Sequence, residues 1–153
     1  MSTGTGTGTG PGPGPGHQAG CVAIGGRGLL IEGAPGTGKS SLALALIDRG
    51  AALVGDDGVM LSPVTDRLIA APHPHITGKL EVRNVGLIDL PISPPVPVAL
   101  LIRLDLGAPR FIHMADMVDI AGMFVPMVRL YPDSPVLALR AEIALRTYGL
   151  TFP

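Results

Sequence analysis

From Cys21 onward, short apolar runs alternate with turn-forming residues, a pattern of many strands and few helices. Cys21–Ile24 and Leu29–Ile31 flank Gly25-Gly26-Arg27-Gly28 and predict a hairpin. Lys39 to Arg49 is rich in Leu and Ala and predicts a helix, with Gly50 where a C′ residue belongs. Ala51–Val54 follows as a strand that ends at Gly55-Asp56-Asp57-Gly58. Val59–Leu61 and Leu68–Ala70 read as two strands joined by a turn around Asp66.

Pro72 to Lys79 has the Pro, His, Thr and Gly content of a mobile loop. Val85–Leu90 and Val98–Leu104 read as strands separated by the proline-dense stretch Pro91–Pro97. Ala115–Gly122 is expected as a short helix and Met127–Leu130 as a strand. Ser134 to Tyr148 reads as an amphipathic helix, with Ser134 as N-cap and Pro135 at the first helical position. Leu137, Ala141, Ala144 and Leu145 share its apolar face, and Arg140, Glu142 and Arg146 its wet one. The order predicts a mixed α/β sheet without a regular βαβ repeat.

Residues 1–16 run through Thr-Gly and then Pro-Gly alternation with no hydrophobic face. Residues 1–18 are therefore expected as a disordered tail and 19–153 as one domain. Hydrophobic residues make up 46% of the chain and aromatics 3%, so the core is built from Ala, Val, Leu, Ile and Met. Met114, Met117, Met123 and Met127 read as core filler.

Net charge is −1, which gives no general attraction to nucleic acid or to an anionic membrane. No apolar run is long enough to cross a bilayer. A lone cysteine, Cys21, and the lack of a basic-then-apolar signal region make cytoplasmic residence the expectation.

The chemistry concentrates at Gly33-Ala34-Pro35-Gly36-Thr37-Gly38-Lys39-Ser40, a complete P-loop between a predicted strand and a predicted helix. Its glycines let successive amides turn toward one anion, and the helix adds its positive N-terminal dipole. Lys39 is placed to neutralise outer phosphates, and the Ser40 hydroxyl to coordinate Mg²⁺. Only Lys39 and Lys79 are lysines, against nine arginines, so a lysine at this position stands out.

Asp56 and Asp57 close the strand after the P-loop helix, where carboxylates face a nucleotide in the neighbouring loop. One suits Mg²⁺ and the other a proton from an attacking hydroxyl; the bland alternative is a Gly-Asp-Asp-Gly turn. Glu81 and Arg83 fall on one face of an extended Leu80–Gly86 segment, with Leu80 and Val82 on the other. They suit a metal and a phosphoryl group, yet spacing alone reads as a solvated edge strand. His73 and His75 flank Pro74 without a third ligand and read as an exposed loop.

Gly33–Ser40, then Leu42–Gly50, then Leu53-Val54-Gly55-Asp56-Asp57 resembles the HPr kinase/phosphorylase catalytic domain. Leu80-Glu81-Val82-Arg83-Asn84-Val85-Gly86-Leu87-Ile88-Asp89 is similar to that family's second signature. The resemblance covers about Gly20 to Leu150. It implies a phosphoenolpyruvate-carboxykinase-like α/β fold, a mixed sheet with few helices. It implies ATP- and Mg²⁺-dependent phosphorylation of a serine on the phosphocarrier protein HPr, tied to phosphotransferase-linked carbon regulation, and hexameric assembly.

By the same resemblance Lys39 binds phosphate, Ser40 and Glu81 hold Mg²⁺, Asp57 is the general base, and Arg110 corresponds to a catalytic arginine. Ser41 departs from the family's usual Asp or Glu, and Asn84 from a usual glycine. The family's upstream histidine aligns with Gln18 rather than His17, a slip that a one-residue bulge in the 17–24 strand would absorb. The segment linked to dephosphorylation is missing near Tyr131–Ala138, so kinase rather than phosphorylase activity is implied. Two rivals stay open: a divergent P-loop ATPase or small-molecule kinase, and a non-catalytic ATP-sensing module.

Overall fold

The computed structural model describes residues 19–153, so His17, Gln18 and the glycine-rich stretch before them lie outside the described residues. The chain begins as a hairpin of β1 (Gly20–Ile24) and β2 (Arg27–Glu32), turned by Gly25 and Gly26 at φ 58 and 80. Both glycines take the left-handed backbone that such a two-residue turn requires.

The P-loop leads into α1 (Lys39–Asp48). Gly50 ends it at φ 112, its N–H donating to Ile47 O while Ala51 N donates to Leu46 O. This is the paired closure of a Schellman end.

β3 (Ala52–Gly55) returns antiparallel to β1. The hairpin β4 (Val59–Val64) and β5 (Arg67–Pro72) follows. A smaller hairpin comes next, β6 (Lys79–Val82) with β7 (Gly86–Asp89). Then come β8 (Val96–Leu104), the hairpin β9 (Asp116–Ile120) and β10 (Met123–Leu130), and α2 (Leu137–Tyr148).

The main sheet has the order β3-β1-β2-β8-β10-β9, with β5 also joining β8 and carrying β4. It is mixed: β8 runs parallel to both β2 and β10, with Leu29 opposite Leu100 and Met127 opposite Leu101. Alternate residues of β2 feed two cores. Leu29 and Ile31 pack on Leu42 and Leu46 of α1 and on Ala141 and Leu145 of α2. Leu30 packs on the opposite face with Leu61, Leu68, Ile120 and Met127. Burial on both faces explains why β2 and β8 read as continuous apolar runs rather than alternations.

Three expectations are corrected. Ala115–Gly122 is not a helix: Val118 opposes Val125 and Ile120 opposes Met123 in the β9–β10 hairpin. The reversal at Ala121 and Gly122, φ 53 and 86, sends the chain back before a helical turn can close. The last helix starts at Leu137 with Val136 as its N-cap, and the Ser134 hydroxyl accepts from Val136 N–H in the turn before it. Met114 and Met117 are exposed, whereas Met127 is buried and Met123 packs at the edge of the second core.

The β1–β2 pairing is regular from Gly20 to Ile24, so the described part of that strand has no extra residue. The irregularity lies instead in β3: Cys21 opposes Gly55 and Val22 opposes Leu53, leaving Val54 as the bulged residue.

Candidate active site

β2 is buried on both faces and delivers its carboxyl end to the surface at Gly33, where the P-loop starts. A Cβ on Gly33 would lie 2.7 Å from Thr37 Oγ1 and 3.1 Å from Leu104 Cβ, so the loop can close only around glycine. Thr37 braces the turn, its N–H and hydroxyl both donating to Ala34 O at 3.2 and 2.7 Å. Gly36 and Gly38 take left-handed conformations, φ 84 and 100, that re-aim the chain between them.

Gly38 caps α1 without any side-chain hydrogen bond, and the first turn carries no acidic residue. The first-turn amides and the helix dipole are thus left to an anion from outside. Lys39 lies along the loop, its ammonium donating to Gly33 O at 2.9 Å.

The second wall comes from β3. The bulge at Val54 twists the strand just ahead of Gly55, where a Cβ would meet Gly58 O and Val59 Cγ1 at 2.7 Å each. The chain then turns through Asp57 at φ 54, a left-handed conformation that a short carboxylate side chain tolerates. Asp57 thereby reaches Lys39, with Oδ1 4.0 Å from Nζ.

Asp56 points the other way. Its Oδ1 accepts from the Ser40 hydroxyl at 2.8 Å, and its Oδ2 accepts from the Glu81 backbone N–H at 3.2 Å. Burial raises the Asp56 carboxyl above the ordinary carboxylate range. The two donors partly offset this, while the neighbouring charges of Asp57 and Glu81 add to it.

The third wall is the β6–β7 hairpin. Leu80 is fully buried against α1, which fixes the hairpin, while Glu81 on its opposite face is exposed. Asn84 takes φ 70 at the hairpin turn. Asparagine serves there because it adopts the left-handed region more readily than most side chains.

Pro35, Gly36, Gly38, Lys39, Ser40, Ser41, Asp57, Glu81 and Arg83 line one cleft of about 240 Å³. A second recess, lined by Leu106, Pro132 and Asp133, borders Gly36 and Thr37 from the other side.

The cleft gathers Lys39, Ser40, Asp57, Glu81 and Arg83, and the Ser40 bond ties Asp56 to its floor. Ser41, singled out in the sequence only as a departure, is also in its lining. Arg110 lies exposed in the loop after β8 and is not among the lining residues. His73 and His75 lie with their rings tilted at 54°, centroids 5.7 Å apart, and neither lines the cleft.

Among the described residues no three His, Cys, Asp or Glu side chains cluster as a self-sufficient metal cage. A hydroxyl and carboxylates beside a phosphate cradle nevertheless fit Mg²⁺, which takes only one or two protein oxygens and completes its shell with phosphate and water. Asp56 supplies the observation behind this fit: its half-buried carboxylate is held on Ser40, at the mouth of the loop.

The fold and the cleft together define a P-loop domain whose glycine-rich loop lies next to carboxylates. The model of the HPr Serine kinase C-terminal domain matches residues 16–93, and the chain belongs to that family.

Relatives agree. HPr kinase/phosphorylase of Clostridium tetani is 48% identical over 71 residues, covering 46% of this chain and 23% of that protein. The Limosilactobacillus reuteri enzyme of the same name is 34% identical over 120 residues, covering 70% and 38%. The chain thus spans less than half the length of these relatives. The Hpr(Ser) kinase/phosphatase structure from Coxiella burnetii superposes with a TM-score of 0.75 at 30% identity, covering 84% of this chain and 87% of that one. The mixed sheet, with two helices among the described residues, is the fold expected from the sequence.

Proposed function

We propose that this chain is a Mg²⁺·ATP-dependent serine kinase whose acceptor is an HPr-like phosphocarrier protein, in regulation of carbon metabolism. The observation that carries the reading is the convergence of Lys39, Asp57, Ser40, Glu81 and Arg83 on one cleft at the P-loop.

The loop amides and Lys39 hold and orient the phosphate chain, so the transferring group is fixed before the acceptor arrives. Ser40, Glu81 and Asp56 would hold Mg²⁺, which when bound offsets charge on the phosphate oxygens. Asp57 accepts the proton of the incoming serine hydroxyl at a carboxylate oxygen. Its place 4.0 Å from Lys39 sets the base beside the cation that holds the phosphate. Arg83 faces the same space and stabilises charge spread over the phosphoryl oxygens. Arg110 stands further off in its exposed loop, and its role rests on the family resemblance.

The rim of the cleft favours a protein acceptor over a small metabolite. Leu87 lies directly opposite Glu81 in the β6–β7 hairpin and is 66% exposed, and Val85 at the turn is 74% exposed. An apolar pair next to a charged cleft suits a partner that brings its own apolar surface with the hydroxyl.

The decisive assay mixes purified protein with HPr and radiolabelled ATP, with Lys39→Ala as control. Serine labelling that vanishes in the variant supports the proposal. Absence of labelling under conditions where ATP binds rejects it, and ATP consumption without HPr points to a small-molecule kinase or ATPase.

A further inference from the structure

At the opposite end of β2 from the P-loop, about 17 Å away at ~3.3 Å per strand residue, lies a second cavity. It has a volume of about 440 Å³ and is lined by Arg27, Arg67, Pro97, Thr151, Phe152, Pro153 and the Gly25–Gly26 turn, with no Asp or Glu among them.

We propose that this cavity is a second anion site, taking a phosphate-type dianion between the guanidinium groups of Arg27 and Arg67. It does not depend on the kinase reading, because none of its residues belongs to the P-loop cleft.

Both arginines are half-buried, so their charge is partly stripped of water, yet among the described residues neither has an ion-pair partner. Arg27 spends one N–H on Leu150 O at 3.0 Å. Arg67 lies over the Phe152 ring at 4.9 Å and donates a hydrogen bond to no described residue.

Stacking occupies the face of a guanidinium and leaves its in-plane N–H edge free. That edge is the part that grips phosphate or carboxylate in a fork. Two positive groups on the wall of one cavity repel each other, and an anion between them relieves that repulsion. Gly25 and Gly26 carry no side chain to narrow the mouth, and nothing lies within 4 Å of where a Cβ would sit on either. Pro97 and Phe152 add an apolar wall, which favours a phosphate ester carrying an organic group over a bare ion.

Inorganic phosphate titrated into the full chain, followed by backbone amide NMR, tests this site separately from the P-loop. Gly25, Gly26, Thr151 and Phe152 should shift saturably. Their apparent affinity should fall about tenfold or more in Arg67→Gln, the loss expected when one charge-assisted fork is removed. Shifts at Gly36 to Ser40 should persist in that variant. Absence of saturable shifts at the four reporters, or an unchanged affinity in Arg67→Gln, overturns the proposal. If Arg67→Gln loses its dispersed spectrum, Arg27→Lys carries the test, since it keeps the charge without the fork. Weaker phosphate at the same amides then supports the site, and equal affinity removes it.

Discussion

The hydroxyl of Ser40 donates to Oδ1 of Asp56 across 2.8 Å, and the other oxygen of the same carboxylate accepts from the backbone of Glu81. One side chain therefore joins the P-loop helix, the turn after β3 and the β6–β7 hairpin. Replacing Asp56 by Asn keeps the volume but removes the charge and one of the two acceptors. Mg²⁺ dependence should shift to clearly higher concentrations in Asp56→Asn, while far-UV circular dichroism stays unchanged.

The Asp56 carboxyl also sets a pH dependence. Its affinity for protons is raised on folding, chiefly by burial, so the folded chain holds this proton more tightly than the unfolded chain. Its contribution to stability is fully present below the ordinary Asp range and is lost as pH rises through the raised folded value. Urea denaturation at a series of pH values should show wild type losing stability relative to Asp56→Asn across that window, and the gap should narrow in acid. A difference of opposite slope would refute the assignment.

Lys39→Ala should leave the fold intact, because the ammonium contacts Gly33 O and Asp57, both at the cleft itself. Nucleotide affinity and phosphoryl transfer should both fall, transfer by about a hundred-fold or more, as when a preorganised charge donor is lost. Asp57→Asn should separate the two functions. Nucleotide binding by calorimetry should persist while transfer falls about 10²–10⁴-fold, the usual range for a lost general base.

Gly55→Ala should disturb the site from below. The new methyl would lie 2.7 Å from the Gly58 carbonyl oxygen, and backbone must move to admit it. A loss of about 1–3 kcal/mol in urea denaturation is expected for such overpacking, along with weakened Mg²⁺ dependence because Asp56 and Asp57 follow directly.

Leu87→Asp should raise the KM for HPr several-fold without changing ATP affinity, since Leu87 is exposed on the hairpin and is not in the cleft lining. Unaltered HPr kinetics would show that the apolar rim does not meet the acceptor.

The local parts of this molecule are those its sequence displays. Gly36, Gly38 and Gly50 all occupy left-handed backbone that few other residues accept, so the P-loop and the end of α1 are readable from glycine spacing. Asp56 and Asp57 follow for the same reason, because a strand between a helix and a Gly-Asp-Asp-Gly turn has one direction to run.

The failures are non-local or ambiguous in period. Ala115–Gly122 carries Val118 and Ile120 at strand spacing and Met117 and Ala121 at helical spacing, and only pairing with Val125 and Met123 decides between them. Val96 and Pro97 belong to β8 because Ala70 and Ile69 pair with them, a partnership that proline content conceals. Glu81 and Arg83 read as an edge strand by themselves. They become cleft residues only because Leu80 is anchored against α1.

The parallel pairing of β2 with β8 separates what the chain encodes from what it can present. Every group assigned a part from Gly33 to Arg83 lies upstream of residue 93, whereas Leu100, Leu101 and Ile102, which flank β2 along its length, lie beyond it. A peptide cut at that point would carry the P-loop, the Asp pair and Glu81 with Arg83, yet expose the strand that aims the loop and lose its scaffold. The residues that gather at the cleft sit in one half of this polypeptide, and the strand that holds their loop still is supplied by the other.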